Sequence, residues 1–501
     1  MLFNSLEYLV FLPLVTLAYY LLQSLRARNF MLLLASYYFY MQYKPEYGLL
    51  MLFATFVCYI SALGISKTQS KAIKKLWLTF SVLGTMGLLF FYKYFNFFNR
   101  NVAGLLSFFN VSWQPLSLDI LLPVGISFFT FQSLSYTIDV YREDMVAEKD
   151  FFTFALFVSF FPQLVAGPIE RSTNLLPQFY QHNRFDTSKA VSGLRLMLFG
   201  FFKKVVIADR LAVIVDTVYN NYKSYNGVVY IIATVAFAFQ IFCDFSGYSD
   251  IARGSARLFG FELMSNFERP YYSKSVTEFW RRWHISLSSW FRDYLYIPLG
   301  GSRKGYVRTL INLFVVFTVS GLWHGANWTF VVWGALNGAA IVIEKILGIG
   351  KRAGKQEYMR EQAIKRRQRP WFVRAAVTIA GIIPMLITFA FICFTWVFFR
   401  AQSIDQALYM LPRFLEGLDT FDLQKFIGTR MILGLDSWEF FTAIGSVVLL
   451  ELMHLFQSVA SPAKVLNRMP AMARLIVYSI CLSLVIWLAW TESQTFIYFA
   501  F

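Results

Sequence analysis

Charged residues are scarce in this sequence. Only 15% of the 501 residues are Asp, Glu, Lys or Arg, whereas a soluble domain carries about 25%. By contrast, 57% are hydrophobic and 19% are aromatic, and the mean hydropathy is +0.51. Apolar runs of roughly 17–25 residues, each long enough to cross a bilayer, recur along the chain. The composition excludes a soluble globular protein and predicts an all-α polytopic membrane protein.

Several motifs of well-known enzyme classes are missing. The sequence has no G-x-x-x-x-G-K-[ST] loop, which excludes an ATP motor of that kind, and no H-E-x-x-H zinc motif. It also has no G-x-S-x-G nucleophile elbow. The cysteines lie in or at the ends of apolar runs without a C-x-x-C pair, which predicts buried free thiols: Cys58, Cys243, Cys393 and Cys481. We therefore expect no bound cofactor and no metal.

Apolar segments of suitable length mark the candidate membrane spans. They are 8–25, 29–43, 47–65, 76–96, 119–138, 196–219, 227–243, 306–323, 327–347, 374–399, 438–456 and 472–490. Segment 150–168 ends in Pro and Gly, which favours a re-entrant element. The only linker-like segment is 349–373, so we expect a single membrane-embedded domain, 1–501.

Lys and Arg cluster in loops beside these spans, and they account for the net charge of +17. This pattern follows the positive-inside rule and contact with anionic lipid, and does not indicate nucleic-acid binding. Basic loops such as 66–75 and 351–370 are therefore expected on the cytoplasmic side. The 400–437 loop is then expected outside.

Residues 244–305 are too polar for a plain span and too aromatic for an ordinary loop. Large apolar residues recur there at helical spacing, with arginines between them: Phe279, Trp283, Leu287, Trp290 and Phe291. This pattern predicts an amphipathic helix in the cytoplasmic interface, followed by a Gly-rich basic turn at 298–305. Arg281, Arg282, Arg303 and Lys304 either hold the phosphates of a large anionic donor or contact lipid headgroups.

The stretch "SGLWHGANWTF" (320–330) places His324 at the end of an apolar run. Ionisable groups at membrane depth are costly and usually functional, so His324 is the first catalytic candidate, with Trp323 and Asn327 as supporting residues. His284, in "RRWHIS", is either an interfacial histidine or a second member of the same site. In a shared site, one imidazole acts as general base while the other orients substrate or polarises a carbonyl.

"CDFSGYSDIA" (243–252) places two carboxylates at the end of an apolar span. Asp244 either orients a histidine, pairs with a local arginine, or caps a helix. Tyr248, in the same stretch, is a further candidate for the substrate channel.

Several long motifs occur in order and carry a family likeness. They are "FFPQLVAGPIER" (160–171), "DFSGYSDIARG" (244–254), "NFERPYYSKSVTEFWRRWHISLSSWFRDYLYIPLGG" (266–301), "SGLWHGANWTFVVWGALNG" (320–338) and "FIYFAF" (496–501). In these motifs the chain resembles the bacterial membrane-bound O-acyltransferases (MBOAT family). It is most like the alginate O-acetyltransferase branch, which is similar to the D-alanyl transferase of teichoic acid export.

The resemblance implies a ring of roughly 11–12 transmembrane helices, with re-entrant or interfacial helices, around a central funnel and channel. It implies a catalytic core at approximately 120–345, with His324 as the catalytic histidine of the "WHG" motif and His284 at a second functional position. The protein would lie in the inner membrane of a bacterium, and a thioester donor such as acetyl-CoA would reach its site from the cytoplasm. The acceptor would be an external polysaccharide hydroxyl or an SGNH esterase-like acetyltransferase partner.

Two other functions remain open at this point. One is a non-catalytic channel or flippase for polysaccharide or lipid, which predicts a pathway lined by many charged residues. The other is a scaffold of a polymer-export complex, which would tolerate loss of His324.

Overall fold

The computed structural model describes residues 1–118, 121–165, 167–349, 371–429, 431–490 and 496–497, and the chain is predominantly helical there. The first α-helices are α1 (Leu6–Leu21), α2 (Leu25–Met41), α3 (Pro45–Ser66), α4 (Lys71–Leu89), α5 (Phe95–Phe108), α6 (Ile126–Tyr141), α7 (Phe151–Ser159), α8 (Phe161–Leu164), α9 (Ser172–Leu175), α10 (Thr187–Phe201), α11 (Asp209–Asn220) and α12 (Gly227–Leu258). They are followed by α13 (Val276–Arg282), α14 (Ile285–Phe291), α15 (Tyr306–His324), α16 (Trp328–Ile346), α17 (Trp371–Arg400), α18 (Ile404–Met410), α19 (Leu423–Ile427), α20 (Ser437–Val459), α21 (Pro462–Arg468) and α22 (Ala471–Trp487).

Shorter elements join these helices. Single π-helical segments occupy Phe90–Tyr94, Phe202–Ala208 and Arg292–Tyr296. Turns of 3-10 helix occupy Leu176–Tyr180, Tyr222–Ser224, Pro270–Tyr272 and Leu411–Leu415. A two-residue antiparallel hairpin, β1 (Met431–Ile432) with β2 (Leu435–Asp436), pairs Met431 with Asp436 and Ile432 with Leu435. The fold class is therefore all-α, as predicted.

Seven described helical segments are long and apolar enough to cross a membrane, and each overlaps a span predicted from the sequence. They are Pro45–Ser66, Lys71–Phe108, Gly227–Leu258, Tyr306–His324, Trp328–Ile346, Gly381–Arg400 and Ser437–Ser458. Three shorter apolar helices lie at Leu6–Leu21, Phe151–Leu164 and Ala471–Trp487. The protein is a multi-pass membrane protein.

Helix α1 exposes large apolar side chains on its outer face. Its exposed positions include Leu9, Leu14 and Leu17, which are 51%, 60% and 60% exposed. Its buried face instead carries a polar contact, because the hydroxyl of Tyr8 lies 2.6 Å from Oγ of Ser255. Apolar side chains facing outward match hydrocarbon, while polar groups find their partners inside the protein.

The described chain forms two compact units. The first comprises Met1–Val206, Phe242–Met264 and Ala460–Phe501. The second comprises Ile207–Ile241 and Ser265–Val459. Both candidate catalytic histidines belong to the second unit.

The segment predicted as re-entrant, 150–168, contains a broken helix in the first unit. Helix α7 ends before Phe160, whose φ of −49° and ψ of 106° take the backbone out of helical geometry. The carbonyl oxygen of Phe157 accepts hydrogen bonds from the side-chain amides of Gln132 at 2.6 Å and Gln163 at 3.0 Å. Irregular backbone is tolerated in a membrane protein where it is packed inside the protein and its polar groups are satisfied.

The single amphipathic helix expected from Phe279 to Phe291 does not form. Helices α13 and α14 replace it, separated by His284, whose φ of 44° and ψ of 54° are left-handed. Phe279, Trp283 and Trp290 are 1%, 1% and 6% exposed. The aromatic face expected to meet lipid therefore packs inside the protein. The sequence contains no Gly or Pro at the break, so it carries no local signal of the interruption.

Helix α12 continues beyond the predicted span end at 243, which corrects the capping interpretation of Asp244. Asp244 and Asp250 lie within the helix, and each pairs with a lysine of the Phe202–Ala208 segment. Nζ of Lys204 is 2.8 Å from Oδ1 of Asp244, and Nζ of Lys203 is 2.6 Å from Oδ2 of Asp250. Buried carboxylates are accommodated when an opposite charge and further hydrogen bonds accompany them.

The prediction of four buried thiols is correct at three positions. Cys58, Cys243 and Cys393 are buried free cysteines, whereas Cys481 is exposed on α22. An apolar helix exposes part of its surface to lipid, so an apolar run does not fix which of its residues face inward.

Four glycines bring α10 and α12 into close contact in the first unit. A Cβ added to Gly200 would lie 2.6 Å from the carbonyl oxygen of Gly247, and one added to Gly254 would lie 2.5 Å from that of Gly193. On each helix the two glycines are seven residues apart and therefore share a face. The two backbones meet without room for a side chain, a common packing mode of membrane helices.

We expect Gly200→Ala to lower thermal stability and the yield of folded protein. The added methyl group would overlap the carbonyl oxygen of Gly247, and overpacking of this kind costs about 1–3 kcal/mol. The measurement is the melting temperature of the purified protein in detergent.

Gly445→Ala is the matched control, because Gly445 lies in α20 and a Cβ there would meet nothing within 4 Å. It should leave the melting temperature unchanged or raise it slightly, since Ala favours a helix over Gly by about 1 kcal/mol. Equal melting temperatures for the two variants would contradict the close contact of α10 with α12.

Candidate active site

Helices α15 and α16 form a tightly packed hairpin that positions His324. A Cβ added to Gly321 would lie 2.2 Å from the carbonyl oxygen of Phe330, and one added to Gly334 would lie 2.4 Å from that of Phe317. Helix α15 ends at His324, where the chain turns into α16. The small residues hold this helix end against the first turns of α16.

Aromatic rings from three helices surround His324, which is 3% exposed. The imidazole centroid lies 5.0 Å from Trp323, 5.1 Å from Trp333 and 5.5 Å from Phe399. Trp333 in turn stacks on Trp396, with ring centroids 5.8 Å apart and planes inclined by 16°. We name these four residues the aromatic cage: Trp323, Trp333, Trp396 and Phe399. The cage makes the surroundings of the imidazole largely apolar.

His284 lies beside His324 although 40 positions separate them in the sequence. The two imidazole centroids are 6.4 Å apart, with planes inclined by 63°. His284 is 0% exposed, and its ring centroid is 6.3 Å from that of Trp323. The structure thus brings together the two histidines that the sequence proposed as one site.

Burial determines the protonation state of His284, which lies outside the membrane-spanning segments. Removal from water disfavours the charged imidazolium and lowers the pKa of His284 from its ordinary 6.5 to about 3. His284 is therefore neutral at physiological pH. One of its ring nitrogens carries a proton and can donate a hydrogen bond.

Two supporting residues predicted near His324 have distinct places. Trp323 belongs to the aromatic cage. Asn327 caps α16: its Oδ1 accepts the N–H of Thr329 at 3.2 Å, and its Nδ2 donates to the carbonyl oxygen of Gln402 at 3.0 Å. Asn327 therefore fixes the turn that follows His324.

Arg281 and Arg282, both predicted as candidate anion-binding residues, lie in different environments. Arg281 is exposed, whereas an Nη of Arg282 lies 2.5 Å from Oε1 of Glu278, one turn earlier on α13. Arg281 is therefore better placed than Arg282 to meet an anion from solution.

Asp244 and Tyr248 belong to the first unit and hold the end of the chain there. Oδ2 of Asp244 accepts the N–H of Ile497 at 2.7 Å. The Tyr248 hydroxyl donates to Oδ1 of Asn4 at 2.9 Å, and the Tyr248 ring lies 4.4 Å from that of Phe496. Asp244 thus has Lys204 as its charged partner, where the sequence suggested a histidine or an arginine.

Sequence reasoning missed Trp333, Trp396 and Phe399. All three lie in membrane spans of a chain that is 19% aromatic, so neither their type nor their spacing distinguishes them. The contacts of Trp333 and Phe399 with His324, and the stacking of Trp396 on Trp333, depend on how α16 and α17 pack, which the sequence does not show.

Comparison with known proteins gives the site a family context. A family model described as MBOAT, membrane-bound O-acyltransferase family, matches residues 147–404, which include both histidines. The chain is 40% identical over 414 residues to a Pseudomonas aeruginosa protein named "Probable alginate O-acetylase AlgI", covering 82% of this chain and 74% of that protein. It is 35% identical over 445 residues to the peptidoglycan O-acetyltransferase of Helicobacter pylori, covering 82% and 79%. A teichoic acid D-alanyltransferase of Bacillus subtilis is 27% identical over 233 residues, covering 42% and 56%.

The lowered pKa of His284 predicts a pH-dependent stability. The unfolded chain takes up a proton at this histidine near pH 6.5, while the folded chain does so only near pH 3. Between these values the unfolded state binds more protons, so stability falls as pH decreases through that window. The melting temperature of the wild type should drop more steeply from pH 6.5 to pH 4 than that of His284→Asn, because Asn also tolerates a positive φ but does not titrate.

His182→Asn provides the control, because His182 is exposed and its Nε2 lies 3.0 Å from the carbonyl oxygen of Gln23. Its melting curve should follow that of the wild type over the same pH range. Parallel curves for the wild type and His284→Asn would show that folding does not lower the pKa of His284.

Proposed function

The chain belongs to the membrane-bound O-acyltransferase family, and from this premise we propose that it transfers an acetyl group from a thioester to a hydroxyl of a cell-surface polysaccharide. The observation that carries the proposal is the pairing of His324 with His284, with centroids 6.4 Å apart, inside the segment that matches the family. The acetyl group and the polysaccharide rest on the names of the two relatives that share most of the chain, an alginate O-acetylase and a peptidoglycan O-acetyltransferase.

The two histidines occupy different electrostatic environments, which supports different roles. His324 is the last residue of α15, where the partial negative charge of a helix C-terminus stabilises a cation. A histidine that accepts a proton there is favoured as a general base. His284 is neutral and buried, so it suits the role of hydrogen-bond donor. Paired groups whose environments separate their protonation states commonly divide catalytic work in this way.

In the proposed reaction, His324 removes the proton of the acceptor hydroxyl, and the resulting oxygen nucleophile attacks the thioester carbonyl carbon. The carbon–sulfur bond breaks, and the leaving thiolate takes the proton from His324, which returns to its neutral state. His284 donates a hydrogen bond to the carbonyl oxygen as negative charge develops on it. The aromatic cage keeps water away, which limits hydrolysis of the thioester.

The donor is proposed to approach from the cytoplasmic side of a bacterial inner membrane. The turn at 298–305 contains three glycines with positive φ angles, which glycine adopts without strain. Arg303 and Lys304 of this turn are exposed, as is Arg281. We assign these three cations to the phosphates of a donor such as acetyl-CoA.

On the outer side, the acceptor is either the polysaccharide itself or an SGNH esterase-like acyltransferase that relays the acetyl group. The family context gives no support to the channel and scaffold alternatives. They are distinguished from the proposal by whether acetyl transfer survives the loss of His324.

We expect His324→Ala to reduce acetyl transfer from a labelled thioester in washed membranes by about 10²–10⁴-fold, the usual cost of losing a general base. His284→Gly should also lower turnover strongly, because Gly accepts the positive φ at 284 and only the imidazole is lost. The double variant should be scarcely slower than either single one, since residues that act as a unit are non-additive. Turnover is measured per folded molecule.

The exposed His182 again supplies the control, and His182→Ala should transfer acetyl groups at the wild-type rate. Near-normal transfer by His324→Ala would refute the catalytic assignment and favour a channel or scaffold. Losses that multiply in the double variant would assign the two histidines to independent roles.

The proposed topology predicts that a cysteine at residue 302 or 304 resists a membrane-impermeant thiol reagent added to intact cells. Ser302 and Lys304 are exposed, so Ser302→Cys and Lys304→Cys should be labelled only after the cells are opened. The background is Cys481→Ser, which removes the exposed native cysteine.

Asp419→Cys is the positive control, because Asp419 is exposed in the loop expected outside. It should be labelled in intact cells. Labelling of residue 302 or 304 from outside would place the basic turn on the wrong side for a cytoplasmic donor.

A further inference from the structure

The backbone at His284 is held in an unfavourable conformation. His284 has a φ of 44°, in the left-handed region that side chains with a Cβ avoid. It also precedes α14 as its N-cap residue, yet its side chain makes no capping hydrogen bond to that helix. Something else must therefore satisfy the first N–H groups of α14 and stabilise the break.

Asn266 satisfies the first N–H groups of α14 and stabilises the break. The N–H of Ile285 donates to the backbone carbonyl oxygen of Asn266 at 3.0 Å. The N–H of Ser286 donates to the side-chain Oδ1 of Asn266 at 3.3 Å. These are the first two N–H groups of α14, which an N-cap side chain normally satisfies in part. Asn266 thus caps the helix from a distance, and the His284 imidazole is not used as the cap.

The same segment also holds the chain on the other side of the break. The N–H of Glu268 donates to the carbonyl oxygen of Arg282 at 3.0 Å, and the ring of Phe267 lies 5.1 Å from that of Trp283. The residues before and after His284 are therefore both tied to 266–268. This arrangement fixes where the imidazole sits relative to His324.

The orientation of the Asn266 amide follows from its partner. A backbone N–H can only donate, so the atom facing Ser286 is the oxygen. Asn266 is 1% exposed and Ser286 is 0% exposed, so water does not replace this bond. An amide oxygen in this place cannot be exchanged for a methyl group without leaving a buried N–H unsatisfied.

We propose that Asn266 is a positioning residue for the acyl transfer, which acts by holding His284 in its left-handed conformation beside His324. The inference rests on the proposed function, because it matters for turnover only if His284 takes part in the reaction. Asn266 does not itself contact the reacting atoms in this account.

The test measures kcat and KM for acetyl transfer by the full-length protein in membranes, per folded molecule. Asn266→Ala should lower kcat by about 10²-fold, the usual effect of a small misplacement of a reacting group, and leave KM for the thioester little changed. Asn266→Asp retains an oxygen that accepts the Ser286 N–H and should restore most of the lost kcat. A residue with only a structural role would reduce the amount of folded protein and leave kcat unchanged.

A double-variant comparison separates this inference from the proposed function. In a His284→Gly background, Asn266→Ala should change kcat by no more than about twofold, because the group it positions is already absent. Wild-type turnover by His284→Gly would instead refute the role of His284. If His284→Gly lowers kcat strongly but Asn266→Ala keeps a normal kcat, the positioning role of Asn266 is overturned while the role of His284 stands. The same holds if the two losses multiply in the double variant.

Gln132→Ala is the matched control, since Gln132 is another buried amide that binds backbone, through Nε2 to the carbonyl oxygen of Phe157 at 2.6 Å. It should lower stability and keep kcat.

If Asn266→Ala is not recovered folded, Asn266→Ser is used, because its shorter hydroxyl cannot span to the Ser286 N–H. Normal kcat in Asn266→Ser would then overturn the proposal.

Discussion

At two helix breaks in the packed interior of this protein, side-chain amides bind backbone groups that the breaks release. Gln132 and Gln163 do so for the carbonyl oxygen of Phe157, and Asn266 does so for the first N–H groups of α14. Without water nearby, an unsatisfied backbone group is expensive, so a break is stable only beside such a partner. The candidate active site depends on this requirement, because the break between α13 and α14 places His284 beside His324.

Two kinds of contact bring chain segments together at the candidate active site: close glycine packing and hydrogen bonds from 266–268. On one side, Gly321 and Gly334 remove side chains so that α15 and α16 touch, which sets His324 against the cage. On the other side, hydrogen bonds from 266–268 set His284. Glycine contacts and amide hydrogen bonds need no charge, which suits a site that must stay dry. The charged pairs of Asp244 and Asp250 are found instead on α12 in the first unit.

The sequence predicted the fold class and the seven described candidate spans, because hydropathy is a local signal. Rare ionisable residues are also a local signal, and they made His324 and His284 the catalytic candidates. The sequence did not predict the break at His284, since no Gly or Pro marks it, nor the end of α12 beyond residue 243. The lysine partners of the carboxylates and the roles of Trp333 and Asn266 depend on contacts between segments far apart in the chain. Periodicity along one segment does not encode such contacts, and the motif 266–301 contains no local signal that distinguishes Asn266 from its neighbours.

The stacking of Trp333 on Trp396 also has an optical consequence. Two indole rings whose planes differ by 16° at a centroid separation of 5.8 Å couple their electronic transitions. Such coupling contributes to the circular dichroism of the protein, and this contribution vanishes when the rings separate. A rearrangement of Trp333 and Trp396 in the aromatic cage is therefore expected to change the circular dichroism of the unlabelled protein.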